Sequence, residues 1–408
     1  MMRVLRQILL VSLLVVGSAA SAAPTRWVAS WASAQQVPEE RNALPGEDLH
    51  DATLRQVVRV SLGGEQIRLK LSNLFGTAPL AVGGVHVARS ADPASARIVP
   101  ESARPVTFNG QAGITIPAGA EYLSDPISLD VPAMSHLAVS MYLPEAPARQ
   151  TSHPGSRATT YFVHGNSIAA ADLPDAGEVA HWYQLSGVQV ASPDAEAVVA
   201  IGDSITDGYG VSPDTDQRWT DFLLARLQAD PETRELALLN QGMGGNRVLQ
   251  DGLGPNALSR FERDVIAQPG VRSFIILEGV NDLGGLSGPP ISPEAEAEFL
   301  ANMIGAYRQM VMRAREHGIR AIGATIMPYG GSGLYRATAQ SEGVRQAINE
   351  WIRAPGNFDA VIDFDAIMRD PNDPTRLRAE VDNDGLHPSI AGYKAMADAV
   401  PLALFEED

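Results

Sequence analysis

The sequence predicts two architectures in one chain: an all-β sandwich or jelly-roll-like domain, then an α/β domain on a five-stranded parallel sheet. Three observations predict this. Apolar residues recur at every second position up to about residue 192, as in strands with one buried and one wet face. Beyond Ser192-Pro193-Asp194, short apolar runs alternate with stretches of helical period, the signature of parallel strands covered by helices. Finally, 408 residues, 45% hydrophobic and 19% charged, are too many for one typical domain and comfortable for two.

In the first part, Ile67, Leu69 and Leu71 alternate with Arg68, Lys70 and Ser72. Ahead of them Val58, Val60 and Leu62 run into Gly63-Gly64, which reads as a hairpin turn. Further strands are expected at 85–88, 113–116, 137–143 and 161–164, with no long amphipathic helix between them. In the second part strands are expected at 197–201, 236–240, 274–277, 321–326 and 360–362. Helices are expected near 219–228, 257–266, 293–317, 341–353 and 390–404. The third has Ser292 to cap it, Pro293 in its first turn and Gly318 just past its end, as helix termini require.

The first residues read as an address. Arg3 and Arg6 precede an apolar run from Ile8 to Gly17, and Ala20-Ser21-Ala22 fits a signal-peptidase site. About ten apolar residues are too few to cross a bilayer, which takes about twenty. The expected organisation is a signal peptide over 1–22, a β-sandwich-like domain over 23–194 and a catalytic domain over 195–408. The product would be secreted or periplasmic, with no membrane span after cleavage.

Composition removes several function classes. With 31 basic against 48 acidic side chains the formal charge is −17, and no Lys/Arg cluster supplies the basic face that nucleic acid demands. The absence of Cys excludes thiol nucleophiles, disulfides and thiolate metal sites.

Ligands of parallel sheets bind beyond the carboxyl ends of the strands, so those positions are where chemistry is sought. The first strand ends in Gly202-Asp203-Ser204, which would present a hydroxyl at the top of the sheet. Such a hydroxyl needs a base. Asp384-Gly385-Leu386-His387 offers one, its carboxylate three residues from its imidazole so that one tight turn could join them. The second strand runs into Gly242-Met243-Gly244-Gly245 and the third into Gly279-Val280-Asn281-Asp282. Backbone N–H groups from Ser204 and one of those glycines, with the amide of Asn281, would make a three-donor oxyanion hole.

Gly202-Asp203-Ser204, Gly245, Gly279-x-Asn281-Asp282 and Asp384-x-x-His387 resemble, in order, the four blocks of the SGNH (GDSL) hydrolases. The resemblance covers roughly residues 195 to 408. Gly245-Asn246-Arg247, Arg260-Phe261-Glu262-Arg263-Asp264 and Leu386-His387-Pro388 resemble a secreted two-domain subgroup with an N-terminal β-domain that includes xylan-associated esterases. The resemblance implies a flavodoxin-like three-layer domain, with Ser204 as nucleophile, His387 as base and Asp384 as its partner. It places Gly245, rather than Gly244 or Gly242, in the oxyanion hole with Ser204 and Asn281. Where the subgroup often has His between the catalytic Asp and Leu, this chain has Gly385, which could alter one wall of the pocket.

Other polar residues have plainer readings. Asp203 and Asp207 are expected to stabilise the nucleophile turn, His153 to lie in a surface loop, and His317 to sit near a helix C-terminus. Asp363 and Asp365 lack further ligands at metal spacing, and no metal or cofactor is called for. The glycine-rich run 284–290 lacks the Lys-Ser/Thr of a phosphate loop and reads as a loop beside the site. No Gly-x-Ser-x-Gly elbow is present. The expected function is a secreted serine esterase acting on short acyl or acetyl esters, carbohydrate esters among them. The alternatives are a lysophospholipase-like lipid or aryl-ester hydrolase, and an inactive carbohydrate-binding protein.

Overall fold

The change of period near residue 195 is a change of architecture in the computed structural model, which describes residues 25–406. The expected signal segment 1–22 lies outside the described residues. Before the change, every pairing is antiparallel. One sheet runs Trp27–Ala32, Leu185–Ala191, Gly64–Ser72, Glu121–Leu123, with Ile127–Val131 also on Gly64–Ser72. The other, six-stranded, runs Gly177–Val179, Thr160–His164, Ala52–Arg59, His136–Leu143, Gly84–Arg89, Arg104–Val106. Ile67, Leu69 and Leu71 from the first sheet and Leu54, Val58, Leu137 and Val139 from the second join one hydrophobic core.

Gly63-Gly64 does not close a hairpin. Ala52–Arg59 belongs to the six-stranded sheet and Gly64–Ser72 to the other, so the glycines carry the chain between sheets. A Cβ at Gly63 would overlap the Val131 carbonyl, so the corner needs a residue without a side chain. Alternation also fails in Ala52–Arg59, where both faces are buried. There the guanidinium of Arg55 is satisfied by Ser140 Oγ at 2.8 Å and by the carbonyls of Ala96 and Ala170 at 2.6 and 2.7 Å.

After the change, five parallel strands line up as Leu236–Gly242, Glu196–Gly202, Val271–Leu277, Arg320–Ala324, Ala360–Ile362. In chain order this is 2-1-3-4-5, the flavodoxin-like arrangement, whose switch point lies between the first and third strands. The fourth strand stops at Ala324 because Asn349 takes over both backbone groups of Ile326, accepting its N–H at 2.8 Å and donating to its carbonyl at 2.9 Å. The long helix Pro293–Glu316 has the expected cap, Ser292 Oγ accepting from Ala295 N, and Gly318 follows at φ +70°. The last helix, Ile390–Ala399, is shorter than expected. Pro401 cannot continue it, and a 3₁₀ turn over Leu402–Phe405 follows.

The two parts share an extensive boundary. Ser61 Oγ donates to the Leu238 carbonyl at 2.9 Å and accepts from Leu238 N at 3.2 Å. Ala29 N donates to the Pro269 carbonyl at 2.9 Å. The first β-strand region is thereby held beside the edge strand of the parallel sheet, and the carboxyl ends of the parallel strands open onto residues of both parts.

Candidate active site

The first parallel strand is buried from Ala197 onward and ends at Gly202, where a Cβ would overlap the Thr206 side chain. The chain turns at once into the short helix Ser204–Asp207. Asp203 caps it, its Oδ1 accepting from Ile205 N at 2.9 Å, and Gly208 ends it at φ +88°. Ser204 opens this helix, so its N–H has no partner within the helix. Its hydroxyl sits 2.8 Å from Nε2 of His387.

The turn carrying His387 is organised by one carboxylate. Oδ1 of Asp384 accepts from the N–H groups of Leu386 and His387 at 3.1 and 2.8 Å, and Oδ2 accepts from His387 Nδ1 at 2.9 Å. A three-residue spacing lets one side chain hold both the loop and the ring it orients. Burial of Asp384 opposes ionisation, but the hydrogen bonds from His387 and Leu386 prevail and hold it below the usual carboxylate value. Burial lowers the pKa of His387; Asp384 opposes this, and the charge of Arg157 adds to it. Tyr209 stacks on the imidazole at 4.1 Å. Gly385, at φ +81°, lies against Gly331, where any Cβ would overlap the Gly331 backbone. The 331 loop fills the space that a larger side chain would take in this chain.

Across the serine, Asn281 is 3% exposed and its amide is fixed from both ends. Its Oδ1 accepts from the Tyr335 hydroxyl at 2.8 Å, and its Nδ2 donates to the Asn246 carbonyl at 2.8 Å, leaving one amide hydrogen for the cleft. Gly279, at φ +114°, precedes it in a conformation only glycine adopts readily. Asp282 ties this loop to the preceding one, its carboxylate accepting from Val248 N and Leu249 N at 2.8 and 3.1 Å. Of the three candidate glycines, Gly242 gives its N–H to Asn240 Oδ1 at 2.8 Å. Gly244 and Gly245 line the cleft, and Gly245, at φ +67°, lies in a turn closed by Asn246 N on the Met243 carbonyl.

Arg260 clamps these loops from beneath. It is 1% exposed and donates to the carbonyls of Gln241 and Gly202 at 2.7 and 3.0 Å and to Asn246 Oδ1 at 2.8 Å. It also pairs with Asp264 at 3.0 Å and Glu278 at 3.4 Å. Burial, with the nearby charge of Asp282, pushes Asp203 up to about 7. Burial and the charge of Asp203 likewise raise Glu278 well above its ordinary value.

Ser204, His387, Asn281, Gly244 and Gly245 open onto a cleft of about 750 Å³, within the range of small-molecule sites. Its other wall comes from the β-rich part, through Gln36, Asn42, Arg157 and His181 among others. His153, expected in a surface loop, is 4% exposed and reaches this boundary. Its Nε2 lies 2.9 Å from Asp207 Oδ1, its Nδ1 lies 2.7 Å from the Ala34 carbonyl, and its ring stacks on Trp182. Asp207 therefore bonds across to the β-rich part. Gly155 permits the approach, since a Cβ there would overlap the Asp207 carboxylate.

Asp363 and Asp365 are engaged by arginines. Arg353 bonds both, Arg345 and Arg369 bond Asp365, and Asp363 also caps a helix at Ala366 N. The 284–290 run begins inside the helix Val280–Gly284, with Gly284 against the Tyr335 ring. Tyr209, Tyr335 and Arg157 were not singled out from sequence. Their positions depend on loops packed from distant parts of the chain, and only Tyr209, five residues after Ser204, had a local signal.

The GDSL-like Lipase/Acylhydrolase family model matches residues 200–395. Among solved structures, the chain is similar to a variant acetyl xylan esterase from Geobacillus stearothermophilus, at 25% identity over 50% of this chain and 92% of that one, TM-score 0.35. It is also similar to a GDSL-like lipase from Bacteroides thetaiotaomicron, at 21% identity over 52% of this chain and 88% of that one, TM-score 0.37. No curated protein matches the sequence.

Proposed function

We propose, from the match of the GDSL-like lipase/acylhydrolase family model to residues 200–395, that the protein is a serine esterase in which Ser204, His387 and Asp384 form the triad. One observation carries the reading: Ser204 Oγ lies 2.8 Å from His387 Nε2 while Nδ1 of the same ring lies 2.9 Å from Asp384, at the edge of the cleft.

In this reading Nδ1–H donates to Asp384, which leaves Nε2 to accept the Ser204 proton as Oγ attacks the ester carbonyl. The carbonyl oxygen becomes an oxyanion, held by the N–H groups of Ser204 and Gly245 and by Nδ2 of Asn281. His387 then gives its proton to the departing alkoxide, leaving an acyl-serine. Water, deprotonated by the same ring, attacks that acyl group; the second oxyanion collapses, the acid leaves, and Ser204 recovers its proton. Leu253 lies against Gly245 and limits the room beside the oxyanion hole, which favours short acyl groups. Gln36, Asn42 and His181 on the opposite wall suit a hydroxyl-rich alcohol, such as a carbohydrate. The 1–22 segment, with Arg3, Arg6 and Ala20-Ser21-Ala22, is read as the export signal. No helix among the described residues is long and apolar enough to cross a membrane.

The test is Ser204→Ala assayed on 4-nitrophenyl acetate, with circular dichroism and thermal unfolding as controls. The expected loss in kcat is at least about 10⁴-fold with the fold retained. A folded variant that keeps most of its turnover overturns the nucleophile assignment.

A further inference from the structure

Three arginines line the cleft, Arg41, Arg157 and Arg247, in a chain whose formal charge is −17. None of them forms an ion pair among the described residues, although the same cleft contains two carboxylates that could have served. Asp207 is occupied by His153 at 2.9 Å, and Glu39 accepts from Asn42 Nδ2 at 2.7 Å. Asp214, adjacent to Arg157 through the bond from its N–H to the Arg157 carbonyl, gives both oxygens to Thr159 at 2.7 and 2.6 Å. Arg157 and Arg247 each also bury an Nε that has no hydrogen-bond partner among the described residues. A guanidinium kept from carboxylates and partly desolvated at a cleft wall is prepared for an anion that arrives from outside.

The two arginines with a buried Nε stand on different sides of the serine. Arg247 belongs to the oxyanion side, close to the Tyr335 hydroxyl that fixes Asn281. Arg157 belongs to the base side. Its guanidinium carbon is 5.8 Å from the centre of the Tyr209 ring, and that ring stacks on His387. Arg157 also holds a left-handed backbone at φ +48°. That conformation is uncommon for a residue with a long side chain, and such residues cluster at binding sites. The base protonates the leaving alkoxide, so a group beside His387 faces the alcohol half of the ester.

Resting on the esterase reading above, we propose that the preferred substrates are esters whose alcohol half carries a carboxylate, and that Arg157, supplied by the β-rich part of the chain, binds that carboxylate. The overall negative field of the protein disfavours anions at long range, so recognition depends on this local cation, and the β-rich part becomes a specificity element of the active site.

The test compares two esters that differ only in charge on the alcohol half, 4-acetoxybenzoate and 4-acetoxybenzamide, by their ratio of kcat/KM. A third, the 4-nitrophenyl half-ester of succinic acid, carries its charge on the acyl half. Arg157→Gln is expected to lower the benzoate-to-benzamide ratio by about ten- to a hundredfold, with partial recovery in Arg157→Lys. In the parent chain, raising salt should lower the same ratio, a readout that needs no variant to fold. A ratio unmoved by both substitution and salt overturns the proposal, as does a loss confined to the succinate half-ester. The esterase reading fails separately: it falls if folded Ser204→Ala still hydrolyses the benzamide ester, whatever the charge preference.

Discussion

Of the histidines bordering the cleft, His387 and His153 each lie 2.9 Å from an aspartate, and they are built for opposite ends. His387 has Nδ1 on Asp384 and Nε2 on the Ser204 hydroxyl, a group that can surrender a proton. His153 has Nε2 on Asp207 and Nδ1 on the Ala34 carbonyl. Its nitrogens face a carboxylate and a backbone carbonyl rather than a hydroxyl, so this ring joins two parts of the molecule. The difference teaches that a His–Asp pair alone does not mark a proposed catalytic element; the partner of the second nitrogen separates the two pairs. Surroundings reinforce the contrast. The Asp384 side chain is 39% exposed, whereas Asp207 is 4% exposed.

The strongest way to break this comparison is Asp384→Asn. An amide in place of Oδ2 can present an N–H to Nδ1 and favour the tautomer that leaves Nε2 protonated, unable to receive the serine proton. The expected fall in kcat/KM for 4-nitrophenyl acetate is about 10³- to 10⁴-fold. A rate near that of the parent would mean that another group orients His387, and the distinction between the two pairs would lose its basis.

His153→Ala tests the other member. It leaves the Asp207 carboxylate buried without its partner, at an expected cost of about 3–5 kcal/mol, read as a lower urea midpoint. The double variant His153→Ala/Asp207→Asn should lose less than the sum of the singles, since it removes the stranded charge. An unchanged midpoint in His153→Ala would show that the pair does not fasten the β-rich part to the nucleophile turn.

What could be read from sequence follows the same division. The His387–Asp384 pair is local, three residues within one turn, and its spacing alone suggested it. The parallel strands were legible as well, because burial on both faces leaves uninterrupted apolar runs such as Val198-Val199-Ala200-Ile201. The pair of His153 with Asp207 spans 54 positions and joins two folding patterns; no periodicity carries that information. Gly63-Gly64 misled for a related reason. The dipeptide specifies a tight corner, but whether the corner returns along one sheet or crosses to another is decided by pairing with strands far along the chain, such as Ile127–Val131 and Leu185–Ala191. Arg157 was invisible because an arginine before Ala-Thr-Thr carries no pattern of its own.

The smallest effect is also the one that joins the two halves of the comparison, because a residue of the β-rich part acts on the proposed base. His387 must be unprotonated to accept from Ser204, so kcat/KM for a neutral ester should rise with pH through the pKa of this ring in the free enzyme. Burial places that rise below the ordinary histidine value of 6.5, Asp384 pulls it upward, and Arg157 pushes it further down by disfavouring a second positive charge. Activity should therefore persist on the acid side of 6.5 and be lost as pH falls through the lowered pKa. Arg157→Gln removes one of the two effects that keep the proton off, so its rising limb should move to higher pH, toward 6.5. In Arg157→Lys the charge remains and the limb should stay close to that of the parent. A limb that stays fixed in Arg157→Gln would place the guanidinium too far from the imidazole in solution to act on it, and would sever the electrostatic link between the β-rich wall and the proposed triad.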